Sequence, residues 1–242
     1  MTRYLILLTV ALSYMFASAE VKTDGEYSLK FVGVDDPSYM WTQLDEKYGK
    51  AVLKNNKLML ESKNDKMPVI SCTEFLVNPK EEDFIAEFVF KPLDWDDKKT
   101  IGLVFDYKNE RNYSLITLSK KNFVYQVCEK GEMSVVKRGV YKLVGRKKIS
   151  MKDIVSEYEK SDVNDNENAA LLAFLSDKNV LDVKLVKEHG ILSLLINDVE
   201  MAQFRNVDMQ YPAMGFYVGP KTKMEAYGIS FSTISYEKDD EE

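Results

Sequence analysis

The sequence predicts an all-β chain whose strands stack as a sandwich or barrel. Three observations carry this. Apolar and polar residues alternate with a period of two in run after run, as in Phe84-Ile85-Ala86-Glu87-Phe88-Val89-Phe90, which puts every second side chain on one face of a strand. Turn signals separate these runs at intervals of about 8–12 residues. The 242 residues hold no visible repeat and no Pro/Gly/Ser-rich linker, and an all-β domain can run to about 200–250 residues undivided. With 45% hydrophobic residues, 12 Phe and 14 Tyr, the chain has ample material for one core.

The first nineteen residues stand apart. Arg3 is the only charge before Glu20, Tyr4 to Phe16 is almost wholly apolar, and Ala17-Ser18-Ala19 places small residues at a cleavage site. This is the three-part pattern of a secretory signal peptide, expected to be removed after Ala19. An apolar run of about 13 residues falls short of the ~20 that cross a bilayer. The segment lacks a cysteine, so it offers no lipid-attachment site. A secreted or periplasmic protein is expected, with one domain over residues 20–236 and an acidic tail at 237–242.

Within that domain the strands follow in order. Phe84 to Phe90 is followed by Ile101 to Tyr107, a turn at Lys108-Asn109-Glu110-Arg111, and Asn112 to Leu118, together a hairpin. Asn122 to Cys128 alternates up to a turn at Gly131. Val180 to Val186 turns at Glu188-His189-Gly190 into Ile191 to Ile196, and Asn197-Asp198 turns the chain again. Met214 to Gly219 and Ile229 to Ile234 complete the series. Ser150 to Leu175 breaks the pattern. It is polar around Ser161 to Asn168, with weak helical spacing at Ile154, Val155 and Tyr158, and reads as a loop insertion with one short helix.

The net charge of −6 disfavours nucleic acid as a partner. Lys98-Lys99 and Arg146-Lys147-Lys148 have acidic neighbours and read as solvated loops. Cys72 and Cys128 are read as one disulfide or as two buried thiols, since nothing in the sequence shows whether they meet. Neither suits a nucleophile, because the single histidine, His189, falls in a hairpin turn. No Gly-x-Ser-x-Gly, phosphate-cradling loop or zinc grouping occurs.

Several blocks in sequence form a further pattern. They are Phe31 and Trp41, Asn56 to Ser62, Asp83 to Phe90, Ile101 to Tyr107 before Asn112 to Ile116, Asn179 to Val186 before Leu192 to Val199, and Met214 to Val218 before Ala226 to Phe231. This succession, over residues 27–236, resembles the concanavalin A-like lectin/glucanase superfamily, and within it the laminin-G-like and keto-disaccharide-hydrolase-like domains of exported bacterial proteins. The resemblance implies a jelly-roll β-sandwich of two antiparallel sheets, one concave, with the 150–175 insertion added. It also implies that Trp41 is internal, that calcium is a candidate ion, and that the concave sheet or its rim binds glycans, with hydrolases among the relatives.

The glucanase branch carries its carboxylates on a Glu-x-Asp-x-x-Glu strand. The nearest match here, Glu81-Glu82-Asp83-Phe84-Ile85-Ala86-Glu87, has Ala86 at the last position, which counts against that mechanism. Glycoside hydrolysis generally needs two carboxylates about 5–10 Å apart. Glu87 and Asp106 remain as acid/base candidates, on the expectation that they meet on the concave face; outward-facing strand carboxylates are the plainer alternative. Sugar binding needs aromatic faces and nearby polar groups. Trp95, in the polar loop Pro92 to Asp97, is expected to be exposed, and Tyr107, Tyr113 and Tyr217 join it as ligand candidates; a lid over the sandwich end is the alternative for Trp95.

Asp94, Asp96 and Asp97 form one candidate calcium cluster, and Asp162, Asn164, Asp165 and Asn166 a second. Glu167 and Ala173 exclude an EF-hand from the latter. No organic cofactor is expected. The leading expectation is an exported, non-catalytic, lectin-like domain for a polysaccharide or glycoconjugate. A glycoside or keto-sugar hydrolase, and a structural sandwich with a protein partner, are the alternatives.

Overall fold

The computed structural model describes residues 22–30, 41, 44–55, 57–75, 78–145, 171–175 and 179–236. These residues form sixteen strands: β1 (Lys22–Lys30), β2 (Leu44–Asp45), β3 (Gly49–Lys54), β4 (Lys57–Ser62), β5 (Val69–Glu74), β6 (Asp83–Asp94), β7 (Ile101–Asn109) and β8 (Asn112–Leu118) come first. β9 (Asn122–Glu129), β10 (Glu132–Gly145), β11 (Leu171–Leu175), β12 (Leu181–Glu188), β13 (Ile191–Ile196), β14 (Val199–Arg205), β15 (Ala213–Val218) and β16 (Lys223–Ser235) follow. Among the described residues there is no helix, and hence none long and apolar enough to cross a membrane.

Two sheets stack as a jelly-roll sandwich. The nine-stranded sheet runs β14-β13-β12-β6-β16-β4-β3-β2, with β1 also paired to β16. β16 meets β6 along one edge. Its other edge is shared, with Lys223 to Ala226 against β4 and Gly228 to Ser235 against β1. The seven-stranded sheet runs β11-β10-β9-β8-β7-β15-β5.

The alternation read in β6 is realised: Phe84, Ala86, Phe88 and Phe90 are fully buried, while Glu87 faces away from the core. Phe216 of β15 lies at the centre of the interlayer packing. It stacks on Trp41 at 5.8 Å and meets Phe88 and Phe90 edge-on at 5.8 and 6.0 Å, geometries that suit the ring quadrupole.

Tight two-residue turns fix the hairpin registers. Lys130-Gly131, His189-Gly190 and Asn197-Asp198 all have positive φ at both positions, the twist that matches paired strands.

One expectation needs correction. The insertion was expected to reach residue 175, but Leu171 to Leu175 is strand, paired parallel to Tyr141 to Gly145. Among the described residues it is the one parallel pair beside antiparallel ladders. Parallel pairing needs a crossover of a dozen or more residues, and the chain between β10 and β11 supplies one. Residues 150–170, with the expected helix and the Asp162 cluster, lie outside the described residues, as do residues 1–19 and 237–242.

Candidate functional site

The structure separates the candidate residues into four places. Tyr107, Tyr113 and Tyr217 come together on the outer face of the seven-stranded sheet, on the neighbouring strands β7, β8 and β15. The rings of Tyr107 and Tyr113 are 6.1 Å apart. All three pack, with Ile70, against Cys72, Val104 and Leu115. Burial pushes the Tyr113 hydroxyl up to about 12, as expected where ionisation would strand a charge on an apolar face.

The same face decides the cysteines. Both are buried thiols outside any disulfide. Cys128 pairs across the ladder with Tyr113, whereas Cys72 sits on edge strand β5. Four strand spacings separate their strands, about 19 Å, where a disulfide needs Cα atoms within about 7 Å. The disulfide alternative is therefore corrected to two thiols.

Glu87 and Asp106 do not meet, because they belong to different sheets. Asp106 sits at a bulge of β7 with φ of 50°. Its Oδ1 accepts the backbone N–H groups of Gln210 at 2.7 Å and Tyr211 at 2.8 Å. Burial nonetheless raises its carboxyl above the ordinary range, with Asp208 adding to the effect. It borders a cavity of about 500 Å³ shared with Tyr125, Lys137 and Phe204.

Glu87 lies on the outer face of the nine-stranded sheet in a crowded charge cluster. Lys184 Nζ is 2.7 Å from Asp198, 3.3 Å from Glu87 and 3.9 Å from Asp182. Ser230 donates to Glu87 at 3.0 Å. One ammonium thus serves three carboxyls, and Asp182, the farthest, has a buried Oδ1 with no partner among the described residues. Burial first, then the hydrogen bond and charge of Glu87, push Asp182 up to about 7. Burial opposes the ionised form of Glu87 too. Hydrogen bonds from Asp182 and Ser230 and the Lys184 charge outweigh it and hold Glu87 below its usual value.

Trp95 was expected in an exposed loop; it is instead half-buried. Its indole N–H donates to the Leu118 carbonyl at 3.3 Å, and its ring packs against the main core, so it is a lid over one end of the sandwich. Its remaining surface lines a cavity of about 820 Å³. Asp97, Lys120, Lys121 and Asn122 line the same space. So does Tyr141, which is itself buried and donates its hydroxyl to the Ser119 carbonyl. Lys120 N–H donates to the Asp96 carbonyl at 3.3 Å, and Lys121 pairs with Asp97 at 2.6 Å. The Trp95 loop and the β8–β9 turn are thereby tied into one rim.

The three aspartates of the first calcium candidate are separately engaged. Asp94 pairs with Lys99 at 2.5 Å. Asp96 accepts N–H bonds from Lys98 and Lys99, which hold its carboxyl below the ordinary range. Asp97 faces Lys121. Among the described residues no three His, Cys, Asp or Glu side chains converge as a metal site.

Sequence reasoning missed Lys120, Lys121 and Asn122. The signal was present as a short polar turn, but only the fold carries it to Trp95. His189 occupies its expected turn; its ring stacks on Tyr236 at 4.8 Å and its backbone N–H donates to Asp83 at 3.0 Å.

No protein-family model and no curated protein sequence matches the chain. Solved structures do share its fold. A Bacillus subtilis protein of unknown function with a galectin-like fold aligns with a TM-score of 0.55 at 10% identity, covering 90% of this chain and 100% of that one. The carbohydrate recognition domain of Emp47p aligns at 0.51 and 12% identity, covering 89% and 98%. The catalytic domain of an endo-1,3-beta-glucanase (laminarinase) from Thermotoga petrophila RKU-1 aligns at 0.50 and 7% identity, covering 90% and 100%. At such identities the likeness is one of fold, and it agrees with the jelly roll implied by the lectin/glucanase resemblance.

Proposed function

We propose that this chain is an exported carbohydrate-binding domain that holds a saccharide in the Trp95 cavity without cutting it. The observation that carries the reading is the cavity itself. A tryptophan fixed by its indole hydrogen bond presents its remaining surface to a space of about 820 Å³ bordered by amide, carboxylate and ammonium groups. An aromatic face takes the C–H side of a pyranose, and a few placed polar groups fix its orientation. The fold supports the reading without identifying the ligand, since it is shared with both a carbohydrate recognition domain and a glucanase.

Binding is favoured over hydrolysis because Asp97 is the one carboxylate among the described lining residues, whereas hydrolysis generally takes two. Export through a leader cleaved after Ala19 completes the proposal and rests on the sequence pattern of residues 1–19.

The test is a glycan array followed by calorimetry on the purified protein. Binding is expected to weaken about tenfold or more in Trp95→Ala, the loss of one well-placed contact, and to persist in Tyr113→Ala, with circular dichroism confirming that both variants fold. Absence of binding across the array, or binding indifferent to Trp95→Ala in a folded variant, sinks the reading.

A further inference from the structure

On the reading that the Trp95 cavity holds a saccharide, we infer that this saccharide is acidic, bearing carboxylate or sulfate groups. Lys120 and Lys121 line the cavity, against the single carboxylate of Asp97 among the described residues. Ammonium groups only donate hydrogen bonds. A neutral sugar, itself rich in hydroxyl donors, is served by acceptors as much as by donors, and the one carboxylate here already faces Lys121. A carboxylate or sulfate is the acceptor that a donor-rich wall lacks.

The two lysines on the β8–β9 turn are held in place. Ser119 N–H donates to the Asn122 carbonyl at 2.8 Å, Lys120 N–H to Asp96, and Trp95 to Leu118. The ammonium groups therefore rise from a turn bonded directly to the tryptophan loop. Lys120 has no ion pair among the described residues. The Lys121–Asp97 pair is 68% and 50% exposed at its two side chains, and exposed pairs contribute little, so an incoming anion displaces Asp97 at small cost. The net charge of −6 opposes an anion at long range, which makes contact at this rim, rather than steering, the source of affinity.

Calorimetry with three probes tests this: oligogalacturonate for carboxylate, dextran sulfate for sulfate, and a neutral galactan oligomer. At least one acidic probe is expected to bind, more weakly as salt rises, and the neutral one far less. Lys120→Gln and Lys121→Gln should each lower affinity about tenfold, with Lys121→Arg close to wild type. These lysines are exposed, so the variants keep the fold. Neutral galactan binding that ignores both lysine variants but is lost in Trp95→Ala overturns the acidic inference and leaves the saccharide reading standing. Dextran sulfate binding that survives Trp95→Ala is adhesion to scattered lysines and also overturns it. No binding by any probe overturns both.

Discussion

Replacing Asp182 with asparagine should stabilise the protein more in mild alkali than in mild acid. Asp182 shares Lys184 with Glu87 and Asp198 and is the most distant of the three from the ammonium. Its carboxyl rises from 3.8 to about 7 on folding. A raised carboxyl gives stability that is complete below the unfolded value and is lost as pH climbs through the folded value. Glu87, whose carboxyl is depressed from 4.5, has the opposite dependence. Its contribution is present above 4.5 and lost as pH falls through its folded value. Between about pH 5 and pH 8.5 only Asp182 of the pair titrates.

Between about pH 5 and pH 8.5 a carboxyl moved from 3.8 to about 7 has a ceiling of about 3 kcal/mol. The Asp182 side chain is 31% exposed, so water and salt screen much of this, leaving about 1–2 kcal/mol. The amide introduced by Asp182→Asn has an N–H to offer Glu87, as the protonated carboxyl has its O–H, and it cannot ionise. Urea unfolding followed by fluorescence at about pH 5 and pH 8.5 should show the advantage of Asp182→Asn growing by about 1–2 kcal/mol from the first to the second, because the unfolded carboxyl (3.8) is already ionised at pH 5 while the folded one gives up its proton only near 7. An equal effect at the two pH values, or a loss at the higher one, refutes the claim that crowding around Lys184 governs Asp182.

Other tests follow from the packing. Phe216→Ala should cost about 3–5 kcal/mol in a thermal melt, since the ring is fully buried against Trp41, Phe88 and Phe90. Asp106→Ala should cost about 1–3 kcal/mol, by leaving the Gln210 and Tyr211 N–H groups without their acceptor and by imposing a residue that disfavours positive φ; Asp106→Asn should lie nearer wild type by chemical denaturation. Both cysteines should react with a thiol reagent only after unfolding, because both are buried and burial holds the Cys72 thiol far above its usual range, and a reductant should leave the melting temperature unchanged. Chelation by EDTA should leave both melting temperature and saccharide affinity unchanged, given the separate partners of Asp94, Asp96 and Asp97.

Strand positions were legible because one-face burial prints itself as alternation, as in Phe84 to Phe90. Leu171 to Leu175 is a continuous apolar run without that alternation, so its pairing had no local signature. Alternation also tells which side of a strand a residue takes, but not to which sheet the strand belongs. That is why Glu87 and Asp106 looked compatible and proved to lie on separate sheets. Cys72 and Cys128 failed to pair for a related reason, since alternation is equally silent on how far apart two strands of one sheet lie. Tyr107, Tyr113 and Tyr217 did converge, because polar-side positions on neighbouring strands share a face. Trp95 was misplaced because its partner, the Leu118 carbonyl, lies 23 residues away, and the flanking aspartates dominated the local pattern.

The position of β16 bears on the order in which the molecule can assemble. It is the last strand of the described residues, yet it lies inside the nine-stranded sheet, with β1 and β4 on one edge and β6 on the other. A chain emerging from the ribosome can form the local hairpins of β7 to β10 as it appears. The strands near its beginning, β1 through β4, must wait for β16 before they join the sheet, since a lone hairpin is marginal in water. Such long-range closure slows folding. The architecture thus keeps the sandwich incomplete until β16 has emerged, so the hairpins formed earlier must persist without their closing strand.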